Sequence, residues 1–163
     1  MKGFIPNFHY MDLSKQYTIL LRTGKTAKMS LHELFARSPK TILYFYPKDM
    51  TPGCTLEAQD FTRRRSDFEK LGIEIIGVSL DSTESHTEFV STCGLGIDLI
   101  SDTDKSLHEA FSTIGEKKNY GKTYIGTIRS TFLLDSTGKI LQEWRNVQAT
   151  GHAEKVFTAL STH

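Results

Sequence analysis

The 163-residue sequence is poor in the features that mark most specialised classes of protein. It holds only two cysteines, Cys54 and Cys93. Two are too few for a disulfide scaffold in a chain this long, so each is either reactive or a small buried residue. No run of about twenty apolar residues is present. The first residues, Met1-Lys2-Gly3-Phe4-Ile5-Pro6-Asn7, lack the apolar stretch of a signal peptide, and the expectation is a soluble, cytoplasmic protein. Neither sign of charge dominates: 20 Lys and Arg against 19 Asp and Glu leave no field to gather nucleic acid or an anionic membrane, and the expected partner is small or neutral. The six histidines (His9, His32, His86, His108, His152 and His163) show no pair at metal-ligand spacing to either cysteine, which argues against a zinc site. Internal repeats, low-complexity tracts and flexible linkers are missing too. The chain therefore reads as one domain over residues 1–163, a size that buries roughly two-thirds of the unfolded surface.

What is present is an alternation of two hydrophobic periods. Residues 17–21 read as a short strand closed by Thr23-Gly24-Lys25, and Ser30 with Glu33 forms a capping-box pattern that starts a helix over 31–37. Thr41-Ile42-Leu43-Tyr44-Phe45-Tyr46 is apolar on both faces and bounded by Pro39 and Pro47, as a central strand covered by helices would be. Residues 53–71 carry Cys54, Ala58, Phe61 and Phe68 near helical spacing, with Gly72 as a stop. A second buried strand over 73–80, a helix over 83–92 ending at Gly94, a short strand over 97–100 and a helix over 104–113 follow. Strands over 128–135 and 139–144 flank the hairpin signal Ser136-Thr137-Gly138, and 152–160 is a final helix. The alternation predicts a three-layer α/β unit with a mixed sheet, because the closing hairpin must be antiparallel.

The stretch Pro47-Lys48-Asp49-Met50-Thr51-Pro52-Gly53-Cys54 lies where a central strand hands over to a long helix, the usual position of a site in an α/β sheet. Thr51 suits an N-cap and Pro52 the first helical position, which puts Cys54 in the first turn. There the free backbone N–H groups favour an anion by about 0.3–1 kcal/mol. Ionisation alone is a limited gain. A free thiol of pKa about 8.5 is already a few per cent thiolate at neutral pH, so full ionisation multiplies the nucleophile by only about thirtyfold. Enzymes accelerate reactions by about a millionfold or more, and the remainder must come from groups that hold the substrate and stabilise developing charge. On local chemistry alone, a nucleophilic Cys54 and an inert buried one stay evenly matched.

Pro47-x-x-x-Thr51-x-x-Cys54, with Thr51-Pro52-Gly53-Cys54-Thr55 inside it, resembles the active-site motif of peroxiredoxins in the branch called bacterioferritin comigratory protein or peroxiredoxin Q. Tyr120-Gly121-Lys122-Thr123-Tyr124 and Arg129-Ser130-Thr131-Phe132-Leu133-Leu134-Asp135 resemble later segments of that branch, in the expected order across roughly residues 40–146. The resemblance implies a thioredoxin-like fold, a mixed central sheet with helices on both faces, and reduction of hydrogen peroxide and organic hydroperoxides. It implies thioredoxin or another thiol as reductant, a monomer, and no metal, haem or flavin. By position, Cys54 is the peroxidatic nucleophile, Thr51 hydrogen-bonds the peroxide, Arg129 polarises it and holds the thiolate, and Pro47 walls the pocket. Arg129 also stands out by itself, since a charge among the apolar residues of an inner strand needs an anionic partner.

The sequence departs from the family at one point. Many members carry a resolving cysteine five residues after the nucleophile, where this chain has Gln59. Cys93, at the end of the next helix but one turn later than in other members, is the remaining candidate. Joining it to Cys54 requires Cα atoms within about 7 Å and hence partial unwinding of a helix end. Arg63-Arg64-Arg65 reads as a solvated face, although Arg65 falls near the apolar stripe; Glu57 either anchors Arg129 or only favours the helix start. Phe45, Tyr46, Phe61 and Trp144 read as core or pocket wall. Two other functions fit a thioredoxin-like fold. A disulfide oxidoreductase would need a C-x-x-C motif, which Thr51 and Glu57 exclude on either side of Cys54, and a non-catalytic module would leave Cys54 inert.

Overall fold

The computed structural model describes residues 11–162. Its elements run β1 (Gln16–Leu20), β2 (Thr26–Ser30), α1 (Leu31–Ala36), β3 (Lys40–Phe45), α2 (Pro52–Lys70), β4 (Ile73–Ser79) and α3 (Thr83–Cys93). They continue with β5 (Asp98–Ser101), α4 (Ser106–Ala110), β6 (Ile114–Asn119), β7 (Lys122–Thr127), β8 (Ser130–Asp135), β9 (Ile140–Trp144) and α5 (His152–Ser161). Seven strands form one sheet in the order β2-β1-β5-β4-β3-β8-β9, while β6 and β7 pair only with each other. β3, β4 and β5 are parallel, and β8 lies antiparallel on the other side of β3. The outer strands β1, β2 and β9 are also antiparallel to their neighbours, so the sheet is mixed.

Period-two alternation along β3 divides the core. Ile42 and Tyr44, followed by Tyr46, face Phe61 and Phe68 of α2, Phe89 of α3 and Val156 of α5. Leu43 and Phe45 face the opposite layer, with Leu34 and Phe35 of α1 and Leu107 of α4. A large apolar side chain fully withdrawn from water contributes about 1.5–3 kcal/mol, so both faces of the central strand must be covered. That is why 41–46 reads as a continuous apolar run rather than an alternating one.

Four departures from the sequence reading have local causes. The capping box of Ser30 and Glu33 is present, but the preceding residues 26–30 form an edge strand, β2, too short and too exposed to show a pattern. The ribbon β6–β7 carries Glu116, Lys117 and Lys118 on one strand, and its turn is Tyr120-Gly121 with φ of 53° and 77°, a primed turn without the usual Asn or Asp. The helix expected over 104–113 shrinks to five residues, because Lys105 is left-handed at φ 67°. Ile128 and Arg129 lie before β8, not within it.

Gly77 of β4 is paired with Tyr44 of β3, and a Cβ there would stand 2.9 Å from Leu99 Cδ2 and 3.0 Å from Tyr44 Cζ. The bare backbone lets the Tyr44 ring lie flat and stack on Phe61 with ring centroids 4.6 Å apart. Gly77→Ala is therefore expected to destabilise by about 1–3 kcal/mol through overpacking. Urea unfolding checks this; an unchanged midpoint means that the ring has room to move.

Candidate active site

Helix α2 starts six residues after Tyr46, beyond the loop Pro47–Thr51. Thr51 has an extended backbone and Pro52 the first helical position, so Cys54 does fall in the first turn. The Thr51 hydroxyl, however, makes no cap. It donates to the Lys48 carbonyl at 2.8 Å, because the loop folds back on itself through Met50 at φ 69°. A left-handed methionine costs about 1–3 kcal/mol and persists only where its surroundings hold it.

Asp49 does the holding. Its buried carboxylate accepts from the hydroxyls of Tyr46 at 2.7 Å and Ser85 at 2.8 Å, and lies 2.7 Å from His86 Nδ1. Its backbone N–H donates to Asp81 Oδ2 at 2.8 Å. The other ring nitrogen of His86 sits 3.1 Å from the Ile100 carbonyl. The loop is thereby pinned to the first turn of α3. Sequence reasoning missed this anchor, whose partners Ser85 and His86 lie on another element at no recognisable spacing; the one signal was an aspartate and a histidine that nothing local explains.

Cys54 is 1 % exposed. Arg129 reaches it from the link between β7 and β8, with Nη2 3.4 Å from Sγ and Nη1 2.5 Å from Glu57 Oε1. The arginine backbone is fixed by the Val147 N–H, which donates to its carbonyl at 2.9 Å, and by the neighbouring Ile128 N–H, which donates to the Thr113 carbonyl at 2.7 Å. The guanidinium lies over the helix start, where a Cβ at Gly53 would stand 3.4 Å from Nη2, an ordinary contact distance. Of the two roles open to Glu57, the structure selects the anchor for Arg129.

The electrostatics follow from burial. Loss of water pushes the Glu57 carboxyl up to about 7, with Arg129 pulling the other way. Burial works against the charge of Arg129, but Glu57 and Cys54 outweigh it and raise its pKa. His152, bonded to the Thr131 hydroxyl through Nε2 at 2.7 Å, is pushed down to about 4 by burial and then by Arg129 and Lys155, so it is a neutral neighbour. Two buried atoms beside Cys54, Glu57 Oε2 and the Tyr44 hydroxyl, have no hydrogen-bond partner among the described residues. Burial, then Glu57 and Cys54, raise the Tyr44 pKa well above its ordinary value, which keeps that hydroxyl protonated.

Pro47 and Arg129 line an open cleft of about 440 Å³, together with Ile128, Val147, Lys117 and Arg145. The fold thus brings Pro47, Arg129, Cys54 and Glu57 to one place, with Thr51 at the helix start. It leaves Cys93 apart. That residue ends α3, is half-buried against the same core layer, and both cysteines are free thiols. The arginine run is bound up in surface ion pairs, Arg63 with Asp60, Arg64 with Asp67 and Glu154, and Arg65 with Glu69, so Arg65 has no part in the site. Phe45, Tyr46 and Phe61 are core, and Trp144 packs half-buried against it. Among the described residues no group of three or more His, Cys, Asp or Glu side chains is arranged to hold a metal, and no helix is long and apolar enough to cross a membrane.

Residues 8–143 match the model of the AhpC/TSA family. The chain is 48 % identical over 122 residues to the peroxiredoxin Bcp of Xanthomonas campestris, covering 75 % of this chain and 76 % of that one. It is 44 % identical over 137 residues to the peroxiredoxin Bcp of Bacillus subtilis, covering 84 % and 85 %. A solved structure of the Xanthomonas campestris bacterioferritin comigratory protein, described for its alkyl peroxide reduction activity, superposes with a TM-score of 0.81 at 40 % identity over 93 % of this chain and 92 % of that one. A first-turn cysteine under an arginine, on a thioredoxin-like scaffold shared over nearly its whole length with these proteins, places the chain in the AhpC/TSA family as a peroxiredoxin of the Bcp branch, a thiol peroxidase.

Proposed function

We propose that Cys54 is the peroxidatic nucleophile for hydrogen peroxide and organic hydroperoxides, and the observation that carries this is the 3.4 Å approach of Arg129 Nη2 to its sulfur. A guanidinium this close to the sulfur offers donors to the oxygens of a peroxide that approaches it. The thiolate attacks the terminal oxygen of R–O–O–H. The O–O bond breaks, an S–OH bond forms, and R–O⁻ leaves and takes a proton from water; the sulfur loses the two electrons that the peroxide gains. Arg129 donates to the oxygens as charge develops on the leaving one. Thr51 has its hydroxyl proton committed to Lys48, so its lone pairs are free to accept the peroxide O–H. Pro47 walls the cleft side.

The sulfenic acid must then be reduced. We assign Cys93 as the resolving thiol, forming an intramolecular disulfide that thioredoxin or another thiol reduces. We further propose that residues 1–163 act as a single domain, a monomer in the cytoplasm. The absence of a closer cysteine supports the assignment, since Gln59 occupies the position used by many relatives.

Cys54→Ser is expected to abolish peroxide consumption, and Arg129→Ala to lower kcat/KM by about 10²–10³. Residual turnover of Cys54→Ser at the native rate is incompatible with this reading. Intact mass after one equivalent of peroxide is expected to fall by two hydrogens, and in Cys93→Ser to rise by one oxygen; an unchanged mass in the native chain contradicts the mechanism.

Glu57 gives a separate, pH-dependent outcome. Its folded pKa of about 7 lies above the ordinary carboxyl value of 4.5, so between these the folded state binds more protons than the unfolded one. Stability therefore falls as pH rises from about 4.5 to about 7, by roughly 3 kcal/mol at most. Urea midpoints measured from pH 5 to pH 8 are expected to decline in the native protein and to flatten in Glu57→Gln, which keeps an acceptor for Arg129 without the charge. A midpoint that rises across this range in the native protein contradicts the assignment.

A further inference from the structure

Arg129 sits in a gap between two sheets. The β6–β7 ribbon ends at Thr127 and the main sheet resumes at Ser130, so Ile128 and Arg129 belong to neither. The ribbon pairs only with itself, and most of β7 is exposed. Such a ribbon is a poor support for a guanidinium that must meet a sulfur, where a displacement of about 1 Å costs on the order of a hundredfold in rate. The link has to be fixed from its inner side.

A buried cluster that the peroxide chemistry does not otherwise use reaches that side. Asp102 is tied to the centre of the sheet, its N–H donating to the Ser79 carbonyl at 2.9 Å. Its carboxylate accepts the N–H groups of Leu107 at 3.0 Å and His108 at 2.8 Å, and lies 2.7 Å from His108 Nδ1. The other ring nitrogen, Nε2, lies 2.9 Å from Thr127 Oγ1. The His108 carbonyl accepts the Thr113 N–H at 2.9 Å, and the Thr113 carbonyl in turn accepts the Ile128 N–H at 2.7 Å. One histidine therefore reaches the link twice, at Thr127 through its ring and at Ile128 by way of Thr113. Asp102, His108, Thr113 and Thr127 are all buried, and the His108 ring meets Phe45 edge-on with centroids 5.0 Å apart. Backbone strain marks the same place. The five-residue helix α4 is bracketed by Lys105 at φ 67° and Ser112 at φ 55°, left-handed residues that persist only where their surroundings hold them. What these two turns achieve is to aim the ring and the carbonyl of His108 toward one short link.

We propose that His108 and Thr127 are positioning residues for the peroxide step, and that their hydrogen bond holds Arg129 at the Cys54 sulfur. Neither lines the cleft beside Arg129, and both act through the backbone that carries the guanidinium. Asp102 sets the orientation of the His108 ring through Nδ1 and so acts one step further back. This inference rests on the role proposed above for Arg129.

The experiment compares the native chain with Thr127→Val, which removes the hydroxyl at similar volume, Thr127→Ser, which restores it, and His108→Asn, which keeps a donor for Asp102 but falls short of Thr127. Phe68→Leu serves as the control for lost stability, since Phe68 is buried on α2 about 21 Å along the helix from Cys54. Quenched-flow mixing with hydrogen peroxide, followed by thiol blocking and intact mass, gives the second-order rate at which Cys54 is oxidised. That rate is expected to fall about tenfold in Thr127→Val and His108→Asn, and to stay within about twofold of native in Thr127→Ser and Phe68→Leu. Added to Arg129→Ala, Thr127→Val is expected to cost less than about twofold more, because two changes that act through one guanidinium do not add. A merely structural role would lower the rate by the same factor in both backgrounds. A native rate in Thr127→Val, an equal loss with and without Arg129, or an equal loss in Phe68→Leu overturns the positioning role and leaves Arg129 in place. A native rate in Arg129→Ala overturns the role of Arg129 and this inference together, while Cys54→Ser reports on the nucleophile separately.

Discussion

A buried positive charge needs an anion, and the arrangement around Arg129 is organised by that requirement. Its guanidinium spans Glu57 and the Cys54 sulfur, so the group that meets the sulfur is itself steadied by a carboxylate one turn further along the same helix. Both partners come from α2, which means that one rigid element sets two of the three positions. The third is set from outside α2, through the backbone bonds that hold Ile128 and Arg129 to Thr113 and Val147. Taking these charges out of water costs several kcal/mol per ion, offset only by close geometry, and the raised pKa of Glu57 is the visible remainder of that cost.

The scaffold and its chemistry were legible in the sequence to different depths. The central strands and long helices declared themselves, because burial on both faces of β3 and on one face of α2 leaves an unmistakable periodicity. The position of Cys54 followed from Thr51 and Pro52, since proline fits the first turn of a helix and little else inside one. The pairing of Arg129 with Glu57 was half visible: a lone charge beside an inner strand demanded an anion, but residues 72 apart cannot be matched by spacing. The direction of the Thr51 hydroxyl was not visible at all, because it depends on the left-handed turn at Met50, a residue with no preference for that conformation.

Edge elements were the least legible. β2 and the β6–β7 ribbon have little apolar surface to bury, so neither leaves a pattern, yet the ribbon supplies Lys117 to the cleft that opens beside Arg129. The buried clusters of Asp49 with His86, and of Asp102 with His108 at 2.7 Å, were equally silent. A polar group inside a fold is specified by its partners rather than by its neighbours in the chain, and partners are what a linear reading lacks.

The Asp49 cluster makes α3 resemble a cantilever, clamped at the end that carries Ser85 and His86. A beam fixed in this way can deflect at its far tip without disturbing its root. The loop bearing Pro47 and Thr51 is seated on that root, so this loop and the Cys93 tip are mechanically independent even though one helix carries both. Substitutions near the tip are free to drift without eroding the pocket, whereas those at Ser85 or His86, far from Cys54 in sequence, disturb the pocket itself.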